Sequence, residues 1–375
     1  MDKINYITNL SLTEVSGGWS GINHRMHEQF GRFYALNTIS AINPPIIKFE
    51  KIVSKFKRIL GMGGEFFFFS DSRLEIISRL VEQKVDSQSK FDFYFGLTPW
   101  VKIIDNRPYA LYLDASFRTY IQLYLDSELF SESDVKRICK LESAWLDSAK
   151  WVFWGSNWAM REAIDQYGFV PDSRKHLVIN TGGNIPIPES DVQNDNDDQL
   201  FLLFISLNFE KKGGFICWDA FKLIQKIFPQ ARLKIIGERP PAQVLDTDGV
   251  DYLGRLNKNK PEELRLLTNA LASASFLIHP TKMDTMGAVI LEAGYYGCPS
   301  IAPNKFGIPD LIKDGETGFL LEKVEPQEIS DIVTKQFSDR PQYKKIRQSC
   351  RAFTCNEFSW SAIGEKMNSF IVQNG

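Results

Sequence analysis

Phe276 to Pro299 reads FLIHPTKMDTMGAVILEAGYYGCP, and the fold is decided there. The segment begins as a buried strand, Phe276 to His279, and turns through a polar loop that carries Asp284. Beyond Gly287 the spacing predicts a helix, with Val289, Ile290 and Leu291 apolar and Glu292 just inside it. A helix start reached through a glycine loop offers unpaired N–H groups and the positive end of the dipole, so it can hold a phosphate without a basic side chain. Asp284 and Glu292 bracket that end; a fully helical segment would put them about 12 Å apart, and a folded-back loop less. One carboxylate for each of two hydroxyl-bearing groups joined through a diphosphate suggests a nucleotide-sugar site. The plainer alternative is a strand–loop–helix of an ordinary dinucleotide-type domain, with the acids as loop and helix-start residues.

The surrounding C-terminal half repeats the alternation. Leu200 to Ser206 is a continuous apolar strand whose loop leads through Lys212-Gly213-Gly214 into a helix, Phe215 to Phe228. Lys212 at that helix start is a second anion candidate, or else a surface lysine. Strands follow at Leu233 to Ile236 and Val250 to Leu253, then a helix from Pro261 to Ser273, and after the central stretch strands at Ser300 to Ala302 and Phe319 to Leu321. A last helix covers Ser361 to Val372.

In the N-terminal half, a strand from Tyr6 to Leu12 precedes Ser16-Gly17-Gly18-Trp19-Ser20-Gly21 and a helix from Ile22 to Phe33. That loop suits close approach to backbone amides, but its spacing is not GxGxxG and a tight turn is the simpler reading. Phe66 to Phe69, Phe91 to Leu97, Tyr109 to Leu113, Trp151 to Trp154 and Leu177 to Asn180 read as strands with helices between them, which implies a parallel sheet covered on both faces. Ligands in such sheets sit beyond the carboxyl ends of strands, and Asp114 comes straight after one; a helix N-cap before Ala115 is the competing role. Lys48 to Leu60 sets Phe49, Ile52, Val53, Phe56, Ile59 and Leu60 on one stripe beside Lys51, Lys55, Lys57 and Arg58. The preferred expectation is a helix packed on the sheet with a solvated basic face; a helix lying on an anionic bilayer is the alternative. Ile185 to Gln199, proline-bearing and acidic, is the best interdomain linker.

With 375 residues the chain suits two domains, here 1–185 and 200–355 about a linker at 186–199, with 356–375 as a closing helix that packs back on the first domain. The composition, 43% hydrophobic and 24% charged, is globular, and a net charge of −2 gives no general pull toward nucleic acid. Five scattered cysteines without a CxxC pair favour reduced thiols and a cytoplasmic setting. No apolar run is long enough to span a membrane, and the N-terminus lacks the pattern of a signal peptide. His24, His27, His176 and His279 make no metal set and are read as helix-surface or cleft residues.

Together FEKKGG (Phe209 to Gly214), FPQARLKIIG (Phe228 to Gly237), the Asp284…Glu292 stretch with EAGYYGCP, and DGETGFLL (Asp314 to Leu321) resemble, in order and spacing, the retaining glycosyltransferases of family 4. The N-terminal half resembles them more loosely, through GGWSG, LDASF and GSNWAMREAIDQYG, and is similar to the subgroup with an aspartate-alanine segment; the terminal FSW looks like the family's closing segment. The resemblance implies the α/β GT-B architecture, two facing Rossmann-like domains with parallel sheets. It implies a hexosyltransferase acting with retention, on a UDP-sugar for preference or a GDP-sugar, toward a glycan or lipid-linked acceptor in polysaccharide biosynthesis. A nucleotide-sugar epimerase or hydrolase, or a non-catalytic binding protein of the same fold, are the alternatives.

By that resemblance Glu292 would bind the ribose hydroxyls, Asp284 the donor sugar, and the amides of Met286, Gly287, Ala288 and Val289 the distal phosphate. Lys212 would neutralise the leaving diphosphate, while Gly254, Arg255 and Leu256 would lie against the base. Asp114 and the Gly17-Gly18 loop would face the reacting sugar. No metal or other cofactor is expected, because lysine and helix amides supply the charge and no DxD site is persuasive. Peripheral association with the inner membrane face stays open. Two departures are visible: the family usually has glutamate where Asp284 stands, and Leu207 falls where many members carry an arginine, so that Lys212, Arg239 or Arg255 would carry more of that work.

Overall fold

The structure is a computed structural model that describes residues 1–13, 18–103, 107–189 and 199–375. Its contacts divide into two units, the first comprising 1–15, 19–180 and 364–375, the second 16–18 and 181–363.

The first unit holds strands β1 (Lys3–Ile7), β2 (Ala35–Ile39), β3 (Asp92–Phe95), β4 (Tyr109–Leu113), β5 (Trp151–Trp154) and β6 (His176–Val178). Its helices are α1 (Gly18–Phe33), α2 (Lys48–Ile59), α3 (Asp71–Glu82), α4 (Phe117–Tyr124), α5 (Glu132–Ser148) and α6 (Asn157–Tyr167). All six strands are parallel in the order β2-β1-β3-β4-β5-β6. Every residue of β3, β4 and β5 is buried, which is why β4 and β5 read as unbroken apolar runs rather than alternating ones, while the buried Asp92 that opens β3 is paired with Arg107.

The second unit holds β7 (Phe201–Ser206), α7 (Gly214–Ile227), β8 (Arg232–Gly237), α8 (Ala242–Leu245), β9 (Val250–Tyr252), α9 (Pro261–Ser273), β10 (Phe276–Ile278), α10 (Ala288–Tyr295), β11 (Ser300–Pro303), β12 (Phe319–Leu321), α11 (Pro326–Ser338) and α12 (Arg340–Phe358). The strands are again parallel, ordered β12-β11-β10-β7-β8-β9. A final helix, α13 (Trp360–Gln373), begins in the second unit, where Trp360 Nε1 donates to Gly183 O at 2.9 Å. From Gly364 onward it belongs to the first, where Tyr34 Oη donates to Asn368 Oδ1 at 2.9 Å and Phe370 meets Phe153 edge-on.

Several expectations are corrected. Phe66 to Phe69 is not a strand: Phe67–Phe69 forms a 3-10 turn, because the Phe66 N–H is taken by Asp134 Oδ2 at 2.7 Å and the rings of Phe66, Phe69 and Phe117 pack on one another. The first strand ends at Ile7 instead of running to Leu12, since the Leu10 N–H turns back onto Thr8 Oγ1. Strand β2 was not anticipated; ALNTI is too short and too polar to stand out, and its place is fixed by pairing with β1. The N-cap of α4 is Ser116, whose Oγ accepts from the Thr119 N–H, so Asp114 does not cap it. Most of the expected linker, 190–198, lies outside the described residues.

Candidate active site

In each unit the chain adds strands to one side of its first strand and then crosses to the other. The reversal in the second unit falls between β7 and β10. Loops leaving the carboxyl ends of two such strands diverge and open a crevice, the usual ligand position in a doubly wound sheet. Lys212 lies on the loop after β7 and Asp284 on the loop after β10. Sheet topology therefore brings together two residues 72 apart in sequence, with Lys212 Nζ 2.7 Å from Asp284 Oδ2 and 2.7 Å from Met283 O.

The loop carrying Lys212 is held in place by Gly213, which caps α7 at φ +80°; a Cβ there would lie 2.1 Å from Pro280 O. Only glycine lets the two loops approach so closely.

Asp284 is saturated. Its Oδ1 accepts the N–H groups of Met286 (3.3 Å) and Gly287 (2.9 Å), and its Oδ2 accepts from Lys212 and lies 3.2 Å from His279 Nε2. Those four contacts use the lone-pair positions of a carboxylate. Burial alone would push this acid up, but the His279 hydrogen bond and the Lys212 charge outweigh it and hold the group well below the usual aspartate range. Two of the four amides assigned to a phosphate are thus engaged by Asp284. Ala288 and Val289 open α10, whose N-cap Gly287 sits at φ +70° with no side-chain cap.

Glu292 lies on α10 and is buried, with Oε1 accepting from the Asn184 N–H at 3.0 Å and paired with Lys258 Nζ. Tyr295, one turn on, accepts from the Gly183 N–H and donates to Phe358 O. Gly254 takes φ +83° after β9 and its carbonyl accepts from the Gly237 N–H; Arg255 is exposed and Leu256 half-buried. Leu207 is exposed, and Arg239 lies 5.8 Å from the Tyr252 ring centre.

In the first unit Asp114 is half-buried at the carboxyl end of β4, next to the strand pair β1–β3 where that sheet reverses. Gly18 opens α1 at φ +54°, and Gly17 lies outside the described residues. The segment after Asp114 is anchored by Glu142, fully buried, which accepts from the Phe117 N–H at 2.9 Å, from Tyr167 Oη at 2.5 Å and from Thr98 Oγ1. Burial raises the Glu142 carboxyl against the pull of those three donors.

Lys258 and Glu142 carry no sequence signal of their roles, and His279, read as a helix-surface or cleft residue, proves to be a buried partner of Asp284. The one available signal was His279 five residues before Asp284. Among the described residues no group of three or more His, Cys, Asp or Glu is placed to hold a metal ion.

Residues 187–353 match the family model described as glycosyl transferases group 1. The sulfoquinovosyl transferase of Arabidopsis thaliana is 30% identical over 161 residues, 40% of this chain and 30% of its own length. A D-inositol 3-phosphate glycosyltransferase of Corynebacterium diphtheriae is 24% identical over 259 residues, 64% of this chain and 59% of its own. The chain thus spans less than two thirds of the length of these curated relatives. Among solved structures, the sucrose-phosphate synthase of Thermosynechococcus elongatus superposes with a TM-score of 0.68 at 15% identity, covering 100% of this chain and 99% of that one. HepE of Anabaena, solved with UDP and glucose, gives 0.65 at 17% identity with 100% of both chains covered. The fold of the whole chain is GT-B.

Proposed function

We propose that the chain is a retaining glycosyltransferase that moves a hexose-type sugar from a nucleotide diphosphate sugar, UDP-linked for preference, to a glycan or lipid-linked acceptor on the cytoplasmic side of a membrane. The observation that carries the reading is the Lys212–Asp284 pair at the strand reversal, beside the start of α10 and the buried Glu292. The group 1 match over this unit supports it, as does HepE, whose structure holds UDP and glucose.

The ribose diol would donate to Glu292, whose Asn184 and Lys258 contacts both fall on Oε1 and leave Oε2 for the ligand. The diphosphate would sit at the start of α10, against the amides of Ala288 and Val289. Lys212 would exchange Asp284 for the diphosphate as negative charge builds on the leaving group, and Asp284, relieved of one donor, would turn a lone pair to a sugar hydroxyl. The C1–O bond to the diphosphate breaks, the acceptor oxygen bonds C1 on the same face, and its proton passes to the departing phosphate oxygen. Asp114 would orient the reacting sugar rather than take that proton. A lysine and fixed amides aimed at the leaving group supply the stabilisation without a divalent ion.

The test is calorimetric titration with UDP and GDP in chelator, followed by UDP-sugar turnover with and without an added glycan acceptor. Saturable UDP binding with acceptor-dependent turnover supports the reading. Turnover without acceptor points to a hydrolase or epimerase, binding without turnover to a non-catalytic relative, and no nucleotide binding removes the donor-site assignment.

A further inference from the structure

Helix α2 contradicts the expectation that its apolar stripe packs on the sheet. Of that stripe Phe49, Ile52, Phe56, Ile59 and Leu60 are each between 58% and 74% exposed and Val53 is half-buried; Met62, just beyond the helix, is 65% exposed, and the one buried residue of the helix is Ser54. The helix is inside out: it is held to its unit by its polar side and turns its apolar side to solvent. Ser54 Oγ donates to Glu65 O at 2.6 Å, Lys57 pairs with Glu65, Ser72 bonds Glu50, and the Arg58 guanidinium lies 4.9 Å from the Phe130 ring centre. A water-facing helix of a soluble domain normally does the reverse. Five large apolar side chains exposed along one helix face, with Met62 exposed just beyond it, require a partner.

We infer that α2 is a membrane-docking surface whose occupant is an anionic lipid bilayer. Charge selects that occupant. Lys48, Lys51 and Lys55 are exposed and each directly precedes an exposed member of the stripe, Phe49, Ile52 and Phe56. At 100° per residue the three lysines form a row along one border of the apolar face, from which their stems reach headgroup phosphates while Phe and Ile enter the acyl boundary. Between Lys48 and Leu60 five basic residues stand against one acid, Glu50, in a chain whose net charge is −2. Glu50 is itself turned to Ser72 on the side that faces the unit. Lys57 and Arg58 are turned to the unit, so the charge that borders the apolar stripe is that of Lys48, Lys51 and Lys55. A bilayer meets both requirements at once, with anionic headgroups for the lysines and hydrocarbon for the rings. The inference concerns the first unit alone and is read without nucleotide or acceptor, so it fails or holds independently of the transfer reaction.

The experiment is co-sedimentation of the full chain with vesicles of phosphatidylcholine alone and of phosphatidylcholine with roughly 30% phosphatidylglycerol. The expected result is partitioning at least about tenfold stronger onto the anionic vesicles, weakened by high salt. The Lys48→Glu/Lys51→Glu/Lys55→Glu variant and the Phe49→Ser/Phe56→Ser variant should each lose about tenfold or more. Both should keep the wild-type circular dichroism and thermal midpoint, because the altered side chains face solvent. A Phe56→Trp variant should gain a blue-shifted emission component on anionic vesicles beyond the wild-type spectrum. Absence of binding by wild-type protein, undiminished binding by either multiple variant, or adsorption without the Phe56→Trp shift would each overturn the inference. So would a dimer in size-exclusion chromatography that is lost with Phe49→Ser/Phe56→Ser while no vesicle binding is seen, since the partner would then be a second copy of the chain.

Discussion

Glu142 of the first unit is fully buried and Asp284 of the second half-buried, both near the carboxyl ends of parallel strands, and their surroundings push them in opposite directions. Glu142 receives three neutral donors, from Thr98, Tyr167 and the Phe117 N–H, and burial still raises it. Asp284 suffers burial too, but His279 and Lys212 drive it below its ordinary range. The comparison teaches that hydrogen bonds alone make a buried acid a structural anchor, whereas a cation beside it makes the pair poised: the lysine has one anion now and could exchange it for another. Breaking the cation out of the second site is the sharpest way to test that difference. Lys212→Ala should lower donor turnover by about 10²–10³, the cost of one electrostatic contact to a developing leaving-group charge. It should also weaken binding of inorganic pyrophosphate measured by calorimetry. A loss under about tenfold would make Lys212 a structural partner of Asp284, as Tyr167 is of Glu142.

The pair's geometry depends on backbone as well as charge. Gly213→Ala would place a methyl 2.1 Å from Pro280 O at a φ of +80°, so the loops after β7 and β10 would have to separate. Strain of this kind costs about 2 kcal/mol or more, read as a lowered urea midpoint, with turnover falling alongside it. Full stability in this variant would show that the two loops are free to move apart, and the fixed distance between Lys212 and Asp284 would lose its explanation.

The second unit was the more legible one in the sequence, for physical reasons. Its strands are short, mostly apolar and separated by amphipathic helices with glycine at the turns, so β7 to β12 emerge from the pattern, and Asp284 and Lys212 sit at the turns where ligands collect, with Glu292 just inside the helix that follows. What pattern could not supply was the identity of their partners. His279 meets Asp284 because Pro280 and the loop beyond fold back, and Lys258 reaches Glu292 from 34 residues away. Side-chain pairings of that kind depend on tertiary approach rather than on spacing. In the first unit the misreadings share one cause. Phe66 to Phe69 and the stripe of α2 carry the right residues for a buried strand and a buried helix face, yet a side-chain acceptor on Asp134 and a polar attachment through Ser54 override those local preferences. Neither acceptor is adjacent in sequence, so periodicity points to the wrong environment.

Glu292 separates two roles within the second unit. Glu292→Gln keeps the shape beside Asn184 while removing the charge that faces Lys258 and, in the proposed donor complex, would meet the ribose diol. UDP binding should weaken about tenfold in calorimetry, the loss of roughly one charged hydrogen bond. Inorganic pyrophosphate binding should be unchanged, the reverse of the Lys212→Ala pattern. If both ligands weaken equally, Glu292 acts by holding the loop through Asn184 rather than by recognising the sugar of the nucleotide.

The smallest expected effect bears most directly on the two acids with which the comparison began. Glu142 has a folded pKa above its ordinary 4.5, so between those values the native state holds a proton that the unfolded chain has released. Its contribution is complete below 4.5 and is lost as pH rises through the raised folded value. Asp284 has a folded pKa below its ordinary 3.8, so its contribution is complete above 3.8 and is lost as pH falls through the lowered one. Urea midpoints measured on both sides of 3.8 and 4.5 should therefore diverge in opposite senses. Relative to wild type, Glu142→Gln should gain stability as pH rises past 4.5, because the variant has no proton to give up. Asp284→Asn should be destabilised above 3.8 and approach wild type as pH falls below it, because acid removes from the wild-type protein the charge that the variant already lacks. Parallel curves for the two variants would mean that Lys212 and His279 do not distinguish Asp284 from Glu142, and the case for a poised ion pair at the β7–β10 crevice would fall with that distinction.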